Sequence, residues 1–238
     1  MVDGEIHVWR ASLDLDPYDL DNLRSALSPD ERTRADRFVL PQHRARFAAA
    51  RGILRDILSR YLDCTPEGIQ FHYGPSGKPA LAPGSGPAEI RFNLSHSHGL
   101  ALYSVARSRE LGVDVELIRS RVAEERIAER FFSPAEVAAL RVLPPSARTA
   151  AFFRCWTCKE AYIKAKGGGL SIALDSFDVS VTPGEPAALL GVRDDPLEAA
   201  RWSLEELAPG GGYAAALAAE GTGWTLRLWE WAPGHQQP

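Results

Sequence analysis

The segment Trp156-Thr157-Cys158-Lys159-Glu160-Ala161-Tyr162-Ile163-Lys164 sets the hardest condition on the fold, because of where its one acid falls. Read as a helix, Phe152, Phe153, Trp156 and Ile163 form an apolar stripe at helical spacing. Glu160 lies inside that stripe, and Lys164 follows one turn later on the same edge. A carboxylate among large apolar side chains is costly unless it is paired or bound to a cation. An exposed i,i+4 Glu–Lys pair, contributing roughly a few tenths of a kcal/mol, is one solution. That description suits Lys159 and Lys166, which the spacing points elsewhere, better than it suits Glu160.

A second acidic element precedes it. Leu111-Gly112-Val113-Asp114-Val115-Glu116-Leu117 reads as a strand, with Asp114 and Glu116 on one face and Val113 and Val115 on the other. Two like charges side by side repel, and a hard divalent cation such as Mg²⁺ removes the repulsion through oxygen ligands. A solvated edge with alternating acids is the plain alternative. With Glu160 as a third carboxylate, the set reads as an open Mg²⁺ site completed by substrate phosphate and water.

Upstream, Ile90-Arg91-Phe92-Asn93-Leu94 alternates as a strand and breaks into Ser95-His96-Ser97-His98-Gly99. Side chains in such a turn reach a phosphate, or bond their own backbone. Ser95 and His96 are adjacent, which is poor geometry for a nucleophile and its base, and no nucleophile elbow is present. A serine hydrolase is excluded on that ground.

These pieces, in order, resemble the 4′-phosphopantetheinyl transferases. The resemblance rests on Gly77-Lys78-Pro79-Ala80, Phe92-Asn93-Leu94-Ser95-His96-Ser97, Gly112-Val113-Asp114-Val115-Glu116, Phe131-Phe132-Ser133-Pro134-Ala135-Glu136 and the Trp156–Lys164 segment. It runs from about Ser28 to Val181 and is similar, more narrowly, to the surfactin-type, single-chain, pseudodimeric class. Each motif alone is modest, whereas five in order with fitting gaps are specific. The resemblance implies an α+β fold of two similar halves in a pseudo-twofold arrangement, meeting at one cleft. The halves are expected at 1–117 and 118–238.

Composition agrees. A chain of 238 residues with 45% hydrophobic content is long enough for real cores and is not a disordered sequence. A net charge of −4 gives no basic field for nucleic acid. Met1-Val2-Asp3-Gly4-Glu5 lacks a basic region followed by an apolar run, so no signal peptide is expected, and no membrane-spanning stretch is present. Three cysteines, an odd number, argue against a disulfide framework and fit a reducing cytoplasm. Cys155 and Cys158 lie in the helix without a second pair and read as buried thiols rather than a zinc or redox centre.

Along the chain, strands are predicted at 6–9, 91–94, 100–106, 112–117, 176–181, 213–219 and 224–231, and helices at 30–38, 42–61, 122–132, 134–142 and around Glu160. Pro75 to Pro87 reads as a Gly/Pro-rich loop. Gly167-Gly168-Gly169 follows a helix end and reads as a cap, not a phosphate loop.

The activity that the resemblance implies is transfer of 4′-phosphopantetheine from coenzyme A to a serine of an apo acyl or peptidyl carrier protein, releasing adenosine 3′,5′-bisphosphate. It implies Asp114, Glu116 and Glu160 as ligands of Mg²⁺, for which Mn²⁺ can substitute. Glu160 would also act as general base, and Lys164 would stabilise the leaving oxygen. Ser95 and His96 would contact phosphate oxygens, and Lys78 the nucleotide. Arg34, Arg46 and Arg51 are the candidates for the 3′-phosphate, since guanidinium binds phosphate bidentately. Arg46 matches a family arginine and Arg34 a position where relatives can carry lysine. Glu31 and Phe47 depart from a basic and a hydroxyl residue of the prototype. The expected partners are coenzyme A and carriers of fatty-acid, polyketide or peptide synthesis, with no nucleic acid and no membrane, for a cytoplasmic monomer. Arg119-Ser120-Arg121-Val122-Ala123 and the Phe131-Phe132-Ser133 turn are expected near the carrier. Another Mg²⁺-dependent phosphodiester enzyme, or a non-catalytic coenzyme A- or carrier-binding protein, remain the alternatives.

Overall fold

The computed structural model describes residues 1–75, 77–87, 89–119 and 124–234. Residues 120–123, with Arg121 and Val122 of the expected carrier-facing stretch, lie outside the described residues. In chain order the elements are β1 (Glu5–Ser12), α1 (Pro17–Ser25), α2 (Pro29–Asp36), α3 (Pro41–Ser59), β2 (Phe71–Tyr73), β3 (Pro79–Leu81), β4 (Ile90–Ser97), β5 (Leu100–Arg107) and β6 (Leu111–Leu117). They continue with α4 (Glu124–Phe131), α5 (Pro134–Val142), α6 (Pro145–Lys166), β7 (Phe177–Val179), β8 (Leu189–Val192), β9 (Trp202–Leu207), β10 (Tyr213–Glu220) and β11 (Thr225–Glu230).

Two sheets organise the molecule, β11-β1-β5-β4 and β6-β10-β9. Strand alternation gives each sheet two apolar faces. Trp9, Ala11, Tyr103 and Val105 pack under α3 against Ile53, Leu54, Ile57 and Leu58. Ala216, Ala218 and Leu204 pack under α6 against Cys155, Cys158 and Ile163. The inner faces meet each other, Ile6, Val8, Leu100 and Leu102 against Val113, Val115, Ala215 and Leu217. The layers therefore run helix, sheet, sheet, helix. Each fully buried Leu or Ile contributes roughly 1.5–3 kcal/mol to holding them together.

The plan repeats within the chain. β1, α3, β4 and β5 form a strand, a helix and a hairpin with antiparallel order β1-β5-β4. β6, α6, β9 and β10 do the same with order β6-β10-β9. The fold is α+β with two similar halves. β6, the last strand before the expected boundary after residue 117, bonds to β10 of the second half. β11 then returns to lie parallel to β1, so the last strand completes the first sheet.

Local signals explain the helix ends. α5 starts with Ser133 and Glu136 in a reciprocal capping box. α6 stops at Gly167, whose φ of 72° is left-handed, as the glycine run predicts. Cys155 and Cys158 are buried, and burial pushes the Cys158 thiol up to about 12. α1 and the strands β2, β3, β8 and β9 were not among the predicted elements; β2 flanks and β3 falls within the stretch around the Pro75–Pro87 loop.

Candidate active site

The site forms where an edge strand of one sheet meets an edge strand of the other. On β6, Val113 and Val115 face the inter-sheet core, so Gly112, Asp114 and Glu116 face α6. Gly112 sets the distance: a Cβ there would run into the backbone of Ala161 and Ala165. Without one, α6 lies close enough for its side chains to reach Asp114.

Asp114 is 2% exposed. Its Oδ1 accepts from Lys164 Nζ at 2.5 Å and from Ser95 Oγ at 2.8 Å, and Lys164 Nζ also donates to Ser95 Oγ at 2.9 Å. Its Oδ2 is buried and has no hydrogen-bond partner among the described residues. An orphaned buried carboxylate oxygen is expensive, and a cation is one way to satisfy it. Glu116 Oε2 accepts from Ser97 Oγ at 2.9 Å. Glu160 is half-buried, and burial raises its carboxyl pKa, with Asp114 and Glu116 adding to the rise and Lys164 opposing it. The three acids therefore feel one another's charge. Among the described residues, no three His, Cys, Asp or Glu side chains converge tightly enough to hold a metal as they stand. Lys164 and Ser95 engage Asp114 Oδ1 instead.

β4 is bound to β6 by side chains rather than by a backbone ladder. Val113 N donates to Asn93 Oδ1 at 2.9 Å, Val115 N to Ser95 Oγ at 3.4 Å, and Leu117 N to Ser97 Oγ at 3.2 Å. The alternation that sends Asn93, Ser95 and Ser97 toward β6 sends His96 to the opposite face. His96 is exposed at the strand surface, and partial desolvation of its ring and the Lys164 charge lower its pKa, which favours the neutral imidazole.

Lys78 Nζ donates to Leu111 O at 3.2 Å and Ala165 O at 3.4 Å and lies 3.6 Å from Glu110. Burial lowers its pKa, and Glu110 opposes that. It lines a cleft of about 530 Å³ with Pro79, Arg91, Phe92 and Gly167. Lys78 thus joins the starting end of β6 and the last turn of α6 to an open cavity.

The arginines divide. Arg46 makes a two-bond ion pair with Asp14, 2.7 Å at each nitrogen, beside the Gly99 turn that follows Ser97. Arg34 is exposed and sits 5.5 Å over the Phe47 ring. Arg51 corrects the expectation that it faces a phosphate. It is 6% exposed, pairs with Glu31 at 2.6 Å and donates to Tyr73 Oη at 3.0 Å. Arg55 holds the other oxygen of Glu31 at 2.7 Å. The acid at position 31 is thus the counter-charge of a buried arginine pair.

Lys159 also differs from its expected surface position. It is fully buried, and its Nζ meets Glu136 at 2.8 Å, Leu174 O at 2.7 Å and Phe177 O at 2.8 Å. Glu136 Oε1 also accepts from Val179 N. This pair ties α5, α6 and β7 together directly before Glu160. Phe132 is core, whereas Phe131 is partly exposed with its ring edge-on to Trp156 at 6.2 Å. A hollow of about 140 Å³ between Glu116, Phe152 and Trp156 leads from the apolar stripe to the acids.

Residues 110–218 match the family model of the 4′-phosphopantetheinyl transferase superfamily, and residues 12–107 match that of the 4′-phosphopantetheinyl transferase N-terminal region. The chain is 43% identical over 231 residues to the 4′-phosphopantetheinyl transferase HetI of Nostoc sp., covering 97% of this chain and 94% of that protein. It is 32% identical over 155 residues to the 4′-phosphopantetheinyl transferase Sfp of Bacillus subtilis, 65% of this chain and 66% of that one. A solved holo-[acyl-carrier-protein] synthase from Thermotoga maritima aligns with a TM-score of 0.37 at 21% identity, over 47% of this chain and 62% of its own.

Proposed function

The chain belongs to the 4′-phosphopantetheinyl transferase superfamily, and from that premise we propose that it transfers 4′-phosphopantetheine from coenzyme A to a serine of an apo carrier protein. In the reaction a bond forms between the serine oxygen and a pyrophosphate phosphorus, and the bond from that phosphorus to adenosine 3′,5′-bisphosphate breaks. One observation carries the assignment of the site. Asp114, Ser95 and Lys164 are in mutual contact, with Asp114 Oδ2 buried and partnerless next to a Glu160 whose pKa is raised.

That donor set fits a hard cation, since it consists of carboxylate oxygens with one oxygen left unsatisfied. Asp114, Glu116 and Glu160 are the residues that would hold Mg²⁺. When bound, the ion neutralises the clustered acids and polarises the pyrophosphate. The chain's own groups supply the rest. Glu160 takes the serine proton as general base. Lys164 carries positive charge to the side of the site where the leaving oxygen develops its charge. His96 and Ser95 bind phosphate oxygens, and Lys78 in its cleft holds the nucleotide. Arg46 and Arg34 are the remaining candidates for the 3′-phosphate. Among the described residues no helix is long and apolar enough to cross a membrane. A cytoplasmic monomer serving carriers of fatty-acid, polyketide or peptide synthesis belongs to the same proposal.

The test is to incubate apo carrier protein, coenzyme A and Mg²⁺ with the protein and weigh the carrier intact. Addition of one phosphopantetheine is expected and should disappear with a chelator. Hydrolysis of coenzyme A without a mass gain on the carrier would point to another phosphodiester chemistry.

A further inference from the structure

The two acids of β6 are held by different groups. Asp114 is fixed by Lys164 and Ser95, both from outside its own strand. Glu116 is less buried and one residue from the strand end. A glutamate has one more rotatable bond than an aspartate and loses more freedom when it is fixed. Something must hold it for a carboxylate oxygen to be presented in one direction.

Ser97 is placed to do this. Its Oγ accepts from Leu117 N at 3.2 Å and lies 3.2 Å from His98 Nδ1. A hydroxyl has one proton to donate and two lone pairs. With the Leu117 N–H on one lone pair, and His98 Nδ1 on the other when that nitrogen carries the proton, the hydroxyl proton is directed to Glu116 Oε2 at 2.9 Å. Ser97 is buried at 7% exposure, so water competes weakly for this bond. Glu116 Oε2 is thereby tied, through one hydroxyl, to the backbone of the next residue of its own strand.

We propose that Ser97 is a positioning residue that aims the Glu116 carboxylate at the divalent cation. The inference rests on the reading of Asp114, Glu116 and Glu160 as cation ligands. Groups that orient a ligand are worth about 10- to 100-fold in metal affinity when removed. Ser97→Ala removes the hydroxyl, and Ser97→Thr keeps it.

The probe is Mn²⁺ alone, titrated into the full chain and followed by electron paramagnetic resonance, with coenzyme A binding in a chelator measured by calorimetry. For Ser97→Ala the Mn²⁺ dissociation constant should rise about tenfold, while metal-free coenzyme A affinity stays at the parent value. Ser97→Thr should restore Mn²⁺ binding. A purely structural serine would instead weaken both ligands together and leave the threonine variant unrescued. If Ser97→Ala does not fold, Ser97→Cys fills the same space with a weak donor and should show the same loss in smaller measure. Mn²⁺ affinity equal to the parent in the alanine or cysteine variant, with Asp114→Ala losing the ion, overturns the role of Ser97 alone. If Asp114→Ala also binds Mn²⁺ like the parent, the cation reading itself fails.

Discussion

The two repeats share a topology and differ in what lies between helix and sheet. In the first, α3 meets β1 through Ile53, Leu54, Trp9 and Ala11, and its charges are gathered at the far side in the Glu31–Arg51–Arg55 cluster. In the second, α6 meets β6 across Gly112, Asp114 and Lys164, so the ionic groups lie at the equivalent helix–strand contact. One helix–strand contact is closed by apolar packing, the other is left open by charge. The architecture is the same, so the chemistry resides in the residues placed on it. The first half's ion cluster is fully paired and supports structure. The second leaves one carboxylate oxygen without a hydrogen-bond partner among the described residues, which fits the proposed site.

The sharpest way to break this contrast is Asp114→Ala. If the second contact is the catalytic one, turnover should fall by about three orders of magnitude, since removing a carboxylate that holds the catalytic cation costs several kcal/mol at the transition state. The melting temperature should stay within a few degrees. A variant with parental turnover and Mg²⁺ dependence would falsify the assignment.

Glu31→Gln tests the other half. It leaves two buried guanidinium groups facing an amide, and breaking a buried pair costs about 3–5 kcal/mol. Denaturant unfolding at pH 7 should show a loss of that order, with metal-free coenzyme A affinity unchanged. The pH dependence has a definite sign. Burial raises the Glu31 pKa, but Arg51 and Arg55 outweigh it, so the folded value lies below that of the unfolded chain. Its contribution is therefore complete above the unfolded pKa near 4.5 and is lost as pH falls through the folded value. The gap between parent and Glu31→Gln should be widest near neutrality and narrow in acid. A constant gap down to the acid transition would mean the cluster does not act through charge.

A smaller effect is expected at the junction of the halves. His96→Ala should weaken coenzyme A about tenfold and leave the Michaelis constant for carrier unchanged, because a hydrogen bond to a charged group contributes about 1.5–3 kcal/mol. Unchanged affinity by titration calorimetry would remove His96 from the phosphate.

The smallest belongs to the rim. Arg119 is exposed at the end of β6. Arg119→Glu should raise the carrier Michaelis constant about two- to threefold at low salt and less at high salt, as rim charges act mainly on encounter and are screened. Equal carrier kinetics at low salt would move the docking face elsewhere.

Much of the site was legible because its spacing is local. Alternation in Leu111–Leu117 placed both acids on one face, and helical spacing placed Glu160 and Lys164 on one edge of α6. What stayed hidden depends on contacts between distant segments. The register by which Asn93, Ser95 and Ser97 serve Val113, Val115 and Leu117 exists only once two sheet edges meet. Arg51 read as a phosphate-binding candidate and Lys159 as a surface cation because their partners, Glu31 and Glu136, lie some twenty residues away in other helices. Among the missed elements, α1 fully buries no residue and offers only Leu20 and Leu23 to the core, and β9 carries Glu205 and Glu206 on an edge. Neither offers the periodic signal that marks a core element.

The return of β11 to β1 has a mechanical consequence. A duplicated chain could come apart as two independently melting modules, each with its own helix and three strands. Here the last strand of the second module is an edge of the first sheet, with Trp229 stacked on Trp9 and Trp231 bonded to Asp56 of α3. Pulling the first module open strips a strand whose chain leads back to the second, so the two share one unfolding transition.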